Sequence, residues 1–168
     1  MTPPVVSIVA KSGTGKTTLL EKLIKELKVR GYKVGAVKHD AHSFSIDHEG
    51  KDSWRLTQAG ADIMLITSPE KIAMVKQNSG DEPVLTETIA NFCADLDIVM
   101  TEGFKRSNMP KIEVHRHERS KNLLCRGEEH DPTLIAVASN TPLTLDVPVY
   151  DINDANGLCD LIVARFLS

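Results

Sequence analysis

The sequence predicts an α/β fold of three layers, in which a mostly parallel β-sheet is flanked by helices. Short β-rich apolar runs alternate with amphipathic helical patterns along the whole chain. The first strand, helix and second strand form a βαβ unit within residues 1–38, and its crossover requires parallel strands. With 168 residues, 41% hydrophobic and 26% charged, the composition is that of an ordinary globular protein, and we expect one domain over residues 1–168.

Charge and hydropathy exclude several classes of protein. Lys and Arg number 20 and Asp and Glu number 23, so the net charge of −3 argues against a nucleic-acid coat, and we expect no nucleic-acid partner. No apolar run reaches the roughly 20 residues of a membrane span, and the N-terminus lacks a signal-peptide pattern. Three widely spaced cysteines favour buried, reduced thiols. We therefore expect a cytoplasmic protein with no membrane partner.

The first βαβ unit is the clearest pattern in the chain. Residues 5–10 are β-rich and predict a buried strand. Leu19, Leu23 and Leu27 then share one face of a predicted helix, and Gly31 lies just past its end. A second strand follows over residues 32–38.

The later elements are predicted from the same two periodicities. We expect residues 116–131, which are strongly charged, to form an exposed loop. The core candidates of the third helix are Val84, Leu85, Ile89, Phe92 and Cys93. The remaining helices are predicted over 51–59, 83–94 and 156–167, and the strands over 61–67, 71–76, 97–101, 111–115, 133–138 and 147–150.

The most informative motif is a glycine-rich loop between the first strand and the first helix, where residues 10–18 read AKSGTGKTT. A P-loop requires this strand–loop–helix context. Gly13 and Gly15 let consecutive backbone N–H groups point at phosphate oxygens, and the helix N-terminus adds partial positive charge. Ala10 replaces the first glycine of the motif, which is tolerable if its φ is negative.

Three polar residues at the end of this loop have predicted roles. Lys16 would reach the β- and γ-phosphates, Thr17 would bind Mg²⁺ and Thr18 would contact the α-phosphate. The fold is therefore expected to be of the P-loop NTPase type. The predicted phosphate-binding residues are Ser12, Gly13, Thr14, Gly15, Lys16, Thr17 and Thr18.

A second acid is expected where the strand over residues 97–101 ends. That strand carries Glu102 to the carboxyl edge of the sheet, where ligands of parallel sheets bind. Glu102 would hold Mg²⁺ through a water or position an attacking water. Thr17 and Glu102 are thus the predicted metal residues, and Lys16 and Glu102 the predicted catalytic residues.

The loop after the second strand reaches the same edge. Lys38 and His39 could meet a phosphate there, and Asp40 the metal or its waters. His39, His42 and His48 fall within ten residues, which suggests a zinc or nickel site. Exposed loop imidazoles or contacts to an anionic substrate are the alternatives.

Taken together, these motifs resemble one family. The P-loop is followed by KHDAH at residues 38–42, GKDS at 50–53, EGFK at 102–105, IAVAS at 135–139 and DIND at 151–154. This order resembles the MobB family, the adaptor proteins of molybdopterin-guanine dinucleotide biosynthesis. The resemblance extends over nearly the whole chain.

The resemblance implies a function that the spacing alone does not. Proteins of this kind bind GTP with Mg²⁺, hydrolyse it slowly and form homodimers. They assist a partner guanylyltransferase (MobA-like) that attaches GMP to molybdenum cofactor. The loop over residues 38–42 would lie near the γ-phosphate or a bound molybdopterin. Asn140, Asp151 and Asp154 could contact the base, although turn formation and helix capping are equally good explanations of these residues.

Three other functions remain open. A small P-loop kinase of a metabolite needs lid arginines, for which Arg106, Arg116, Arg119 and Arg126 are candidates. A nickel-insertion GTPase chaperone is supported by the histidine group alone. The third is an interaction module that keeps a nucleotide as a structural plug.

Overall fold

The chain divides into two compact units. The computed structural model describes residues 2–40, 44–78, 80 and 82–168. The larger unit contains the residues up to 39 and from 88 onward, and the smaller unit contains residues 40–87. In chain order the elements are β1 (Val5–Val9), α1 (Lys16–Val29), β2 (Val34–Lys38), α2 (Asp52–Gln58), β3 (Ile63–Thr67), β4 (Ile72–Lys76), α3 (Leu85–Phe92), β5 (Ile98–Glu102), β6 (Lys111–His115), β7 (Leu134–Ser139), β8 (Val149–Asp151) and α4 (Ala155–Phe166).

The larger unit is built on a parallel sheet. Among the described residues its six strands run in the order β2–β5–β1–β6–β7–β8, and all the pairings are parallel. The predicted α/β fold with a mostly parallel sheet is therefore confirmed. Glu102 is in register with Ile8 on one side and with Lys38 on the other. The carboxyl ends of β1, β2 and β5 thus meet at one edge, as predicted for the site.

One face of this sheet is covered by α1 and α4. Leu23 and Leu27 of α1 and Ile162 of α4 are fully buried against Val6 and Ile8 of β1. This packing confirms the leucine stripe predicted for the first helix. Burying an aliphatic side chain contributes about 1.5–3 kcal/mol, so these residues fix the direction in which α1 leaves the loop.

The opposite face is covered in part by a segment that the sequence predicts to be an exposed loop. Leu123 and Cys125 are 8% and 2% exposed and pack against Val9. The prediction of an exposed loop over residues 116–131 is wrong for Leu123 and Cys125, whereas residues 117–119 and 127–130 are exposed as predicted. The physical reason is Glu113 of β6, whose buried carboxylate accepts the backbone N–H groups of Leu124 and Cys125 and anchors the segment to the sheet.

The core predicted for the third helix is partly wrong. Ile89 is 1% exposed, but Val84 and Phe92 are 54% and 53% exposed. The helix α3 is short, and the residues turned away from solvent are Leu85, Thr88 and Ile89, followed by Cys93 just past its end.

The smaller unit contains an antiparallel hairpin. β3 pairs with β4, and α2 packs on β3. Trp54 of α2 is half-buried. The hairpin leaves Leu65 and Ile72 58% and 71% exposed. Of the helices that the structure describes, none has the length and apolar character required to cross a bilayer.

Candidate functional site: a phosphate-binding loop

The glycine-rich loop has the backbone of a phosphate site. Gly13 and Gly15 have φ of 71° and 100°, a left-handed backbone conformation that residues other than glycine rarely adopt. Gly15 is the N-cap of α1, so the N–H groups of the first helical turn are presented to the loop. Among the described residues Phe104 is the single non-glycine with positive φ. Ala10 therefore meets the condition for replacing the first glycine of the motif, and it is fully buried.

The two residues predicted to serve Mg²⁺ are in direct contact. The Thr17 hydroxyl donates to Glu102 Oε2 at 2.7 Å. The other oxygen of Glu102 lies 3.9 Å from Lys38 Nζ, and the Glu102 side chain is 13% exposed. A hydroxyl and a carboxylate at the end of a phosphate loop fit Mg²⁺, which takes one or two protein oxygens and fills its other positions with water and phosphate.

Lys16 lies among other cations. Burial lowers the pKa of Lys16, the positive charges of Lys105 and Lys38 lower it further, and the negative charge of Glu102 opposes them. Such a cluster is unfavourable alone and favourable around a polyanion. Lys105 is a residue that the sequence analysis did not assign to the site, although it ends the EGFK motif that carries the family resemblance.

The loops after β2 and β5 pack together. The His39 N–H donates to the Glu102 carbonyl at 3.1 Å, and the ring centroids of His39 and Phe104 are 5.0 Å apart. A Cβ on Gly103, which has φ of 96°, would lie 3.4 Å from His39 Cβ. Glycine is thus favoured after Glu102 by its positive φ, whereas the contact with His39 would leave just enough room for a Cβ.

The remaining predicted site residues are two polar residues of the loop and helix start, Asp40 and the histidine group. Ser12 and Thr18 are exposed at the loop. Asp40 begins the smaller unit, and its contact with a nucleotide stays a prediction. His42 lies outside the described residues, so the histidine site also stays a prediction. Within the described part of the chain, no group of three or more His, Cys, Asp or Glu side chains is arranged to hold a metal ion.

Residues 116–122, here called the strap, hold the phosphate loop from the side. Arg116 Nε donates to the Thr14 carbonyl at 3.0 Å, and Lys11 Nζ donates to Ser120 Oγ at 2.7 Å. The Arg116 guanidinium also lies 3.8 Å from the position of a Cβ on Gly15. Sequence reasoning missed these contacts because their partners are more than 100 residues apart in the chain.

The strap and the segment after it, up to residue 131, are fixed in turn by buried polar side chains of β6. His115 contacts Ser139 Oγ through Nδ1 at 3.1 Å and the Ser120 carbonyl through Nε2 at 3.0 Å. Lys111, 1% exposed, lies 3.0 Å from Asp131 Oδ2. A strand with three polar residues buried is unusual, and each is satisfied by a partner on the segment that it anchors.

Two of the candidate lid arginines are engaged within the chain. Arg126 donates to both carboxylate oxygens of Asp146 at 2.8 and 2.9 Å, and its side chain is 9% exposed. Arg116 is held at Thr14 as described above. These contacts favour structural roles over a mobile kinase lid for both residues.

Comparison with known proteins identifies the family and agrees with the fold. The sequence profile of the family described as molybdopterin guanine dinucleotide synthesis protein B, or MobB, matches residues 5–140. The chain belongs to the MobB family. The resemblance that the sequence motifs indicate is thereby confirmed.

Two relatives in the MobB family are similar over most of their length. The molybdopterin-guanine dinucleotide biosynthesis adapter protein of Haemophilus influenzae is 41% identical over 161 residues, which are 95% of this chain and 87% of the relative. The adapter protein of the same name from Escherichia coli K12 is 39% identical over 165 residues, or 95% of this chain and 91% of the relative. A crystal structure of molybdopterin-guanine biosynthesis protein B superposes with a TM-score of 0.75 at 26% identity, covering 95% of this chain and 98% of the other.

Proposed function

We propose that this MobB-family protein is a GTP-binding adapter. It would bind GTP with Mg²⁺ in the phosphate loop, hydrolyse it slowly and assist the guanylyltransferase that attaches GMP to molybdenum cofactor. The observation that carries the proposal is the contact between Thr17 and Glu102 beside Lys16, at the N-terminus of α1. The names of the curated relatives, which are adapter proteins of this biosynthesis, support the role.

The loop itself would bind the triphosphate. Backbone N–H groups between Gly13 and Thr17 would donate to phosphate oxygens, and Lys16 would pair with the β- and γ-phosphates. The phosphates would relieve the repulsion between Lys16, Lys38 and Lys105, which is why the lowered pKa of Lys16 supports an anionic ligand.

Thr17 and Glu102 are the residues that would hold Mg²⁺. When bound, the ion supplies positive charge to the phosphate oxygens. The Thr17 hydroxyl, which donates to Glu102 in the structure, would turn its oxygen to the ion. The Glu102 carboxylate would hold and orient water through its own hydrogen bonds.

Hydrolysis is expected to be slow because the arginine nearest the loop is engaged in contacts within the chain. Lys16 and the loop N–H groups are fixed in place and would stabilise charge developing on the γ-phosphate. Arg116 lies next to the loop, but its Nε donates to the Thr14 carbonyl and its Nη1 lies 3.8 Å from Glu118 Oε1. A partner that supplied or released an arginine would therefore increase the rate.

The exposed hairpin supports the expected homodimer. A two-stranded hairpin is marginally stable alone, and β3 and β4 expose Leu65, Ile66 and Ile72. A second copy covering this surface would bury those side chains. Light scattering should give a dimer mass for the wild type and a monomer mass for Ile72→Lys, with the exposed Gln77→Lys as control. A monomeric wild type would contradict the proposal.

The adapter function is tested by GMP transfer. The guanylyltransferase is given molybdenum cofactor and GTP, with or without this chain. Wild type should increase the yield of the dinucleotide and Lys16→Ala should not. Lys25→Ala, on the exposed face of the same helix, should behave as wild type. If wild type has no effect, or if Lys16→Ala stimulates equally, the proposal is wrong.

A further inference from the structure

A cleft lies between the carboxyl ends of the last two strands of the sheet. Its volume is about 240 Å³, and it is lined by Ser139 at the end of β7, by Asn140 and Pro142 after it, and by Tyr150 and Asp151 of β8. Ser139 and Asp151 are in register, so the cleft begins where the pairing of β7 with β8 ends. It is open to solvent, and it is apolar on its proline and tyrosine sides.

The position of the cleft relative to the phosphate loop suits a nucleotide. Both lie in the larger unit at the carboxyl edge of the same sheet, where ligands of such folds bind. The strand order β1–β6–β7–β8 separates them by between two and three strand spacings, or about 12 Å. In a purine nucleotide, the ribose and the α-phosphate separate the base from the β-phosphate by a comparable distance.

The structure distinguishes between the three residues that the sequence offers for the base. Both ends of the Asn140 amide are engaged, because Oδ1 accepts the His117 N–H at 3.1 Å and Nδ2 donates to Glu118 at 2.7 Å. Asp154 is the N-cap of α4 and accepts the Gly157 N–H at 2.9 Å. Asp151 lines the cleft and is exposed.

We propose that the Asp151 carboxylate, at the cleft between β7 and β8, selects a guanine base. The proposal rests on the proposed function, because it needs a nucleotide whose phosphates occupy the loop. The Asn153 N–H donates to Asp151 Oδ1 at 2.8 Å and sets the orientation of the carboxylate. Guanine would lie in the cleft between Pro142 and Tyr150 and donate its N1–H and N2–H to the carboxylate.

The chemistry of the carboxylate provides the selectivity. An ionised carboxylate has acceptors only, and guanine presents two adjacent donors. Adenine presents the N1 acceptor at the corresponding edge, which would leave two acceptors facing each other. Xanthine has N1–H beside a carbonyl at C2, so it pairs with a side chain that both accepts and donates.

The test is calorimetric titration of GTP, ATP and XTP with Mg²⁺. Wild type should prefer GTP. Asp151→Asn should weaken GTP binding by about 10- to 100-fold and bind XTP more tightly than wild type does. Because the amide can donate to adenine N1, the affinity for ATP should not fall. Asp154→Asn is the matched control, because asparagine also caps helices, and it should behave as wild type.

The outcomes separate this inference from the proposed function. Equal binding of GTP and ATP by wild type would overturn the guanine site without contradicting nucleotide binding at the phosphate loop. GTP preference retained in Asp151→Asn, or GTP binding lost without a gain for XTP, would overturn the role of Asp151. Failure of wild type to bind any nucleotide would overturn both. A misfolded variant cannot gain affinity for XTP, so that gain is the decisive result.

Discussion

Replacing Asp131 by asparagine should destabilise the larger unit more than replacing Lys111 by methionine. Lys111 Nζ is buried and has three oxygen partners, on Asp131, Thr133 and Ser107. Asp131→Asn leaves that ammonium in the interior without an anion. Lys111→Met leaves a carboxylate that is 25% exposed and still accepts from the N–H and hydroxyl of Thr133.

The magnitude follows from this difference in exposure. Breaking a fully buried ion pair costs about 3–5 kcal/mol, and the partial exposure of Asp131 reduces the expected cost of Asp131→Asn to about 2–3 kcal/mol. Lys111→Met should cost about 1 kcal/mol, because methionine fills the space and water reaches the remaining carboxylate. The double variant should be more stable than Asp131→Asn, since it removes the orphaned charge.

Urea unfolding measures these changes. With a slope of about 2 kcal/mol per M, Asp131→Asn should lower the midpoint by about 1–1.5 M without changing the slope. The exposed Asp95→Asn serves as a control for loss of a carboxylate at the surface. Equal costs for Asp131→Asn and Lys111→Met, or a cost below about 0.5 kcal/mol for Asp131→Asn, would refute the role of this pair.

Further predictions concern the site, acid stability and the thiols. Glu102→Gln should keep GTP affinity and reduce Mg²⁺-dependent hydrolysis; unchanged hydrolysis in a phosphate-release assay would remove Glu102 from the reaction. Burial alone would raise the pKa of Asp131, but hydrogen bonds from its neighbours and a nearby ammonium hold it below the ordinary 3.8, so the wild type should lose stability as the pH falls below that value. Asp131→Asn should flatten this loss in urea titrations at several pH values. Burial raises the pKa of Cys125 to about 12 and that of Cys159 to about 11, so iodoacetamide should alkylate the partly exposed Cys93 first and the other two only in urea. Equal rates for all three in the native protein would contradict this order.

The sequence was sufficient for the features that depend on local pattern. The strand, glycines and leucine stripe around Lys16 predict the loop and α1, because phosphate binding needs consecutive residues in one backbone conformation. Glu102 was predicted at the edge of the sheet because parallel strands end together there, and its contact with Thr17 agrees with that logic.

The features that were missed depend on distant partners. The strand β6 contains three polar side chains, Lys111, Glu113 and His115, whose charges suggest exposure. All three are nevertheless buried beneath a segment of the chain that their own hydrogen bonds hold in place. A period-two pattern cannot reveal such burial, since it reports neither the partner nor the side of the sheet that it covers. The role of Arg116 at Thr14 and the choice of Asp151 over Asn140 required the same long-range information.

The most direct test of the account is equilibrium binding of GTP, with Mg²⁺, to wild type, Lys16→Ala and Lys25→Ala. Both variants remove one ammonium from α1, but only Lys16 lies at the loop beside Glu102. The account predicts that Lys16→Ala weakens GTP binding by more than about 100-fold while Lys25→Ala matches wild type. Equal affinity in all three proteins would contradict the assignment of the phosphate loop as the nucleotide site.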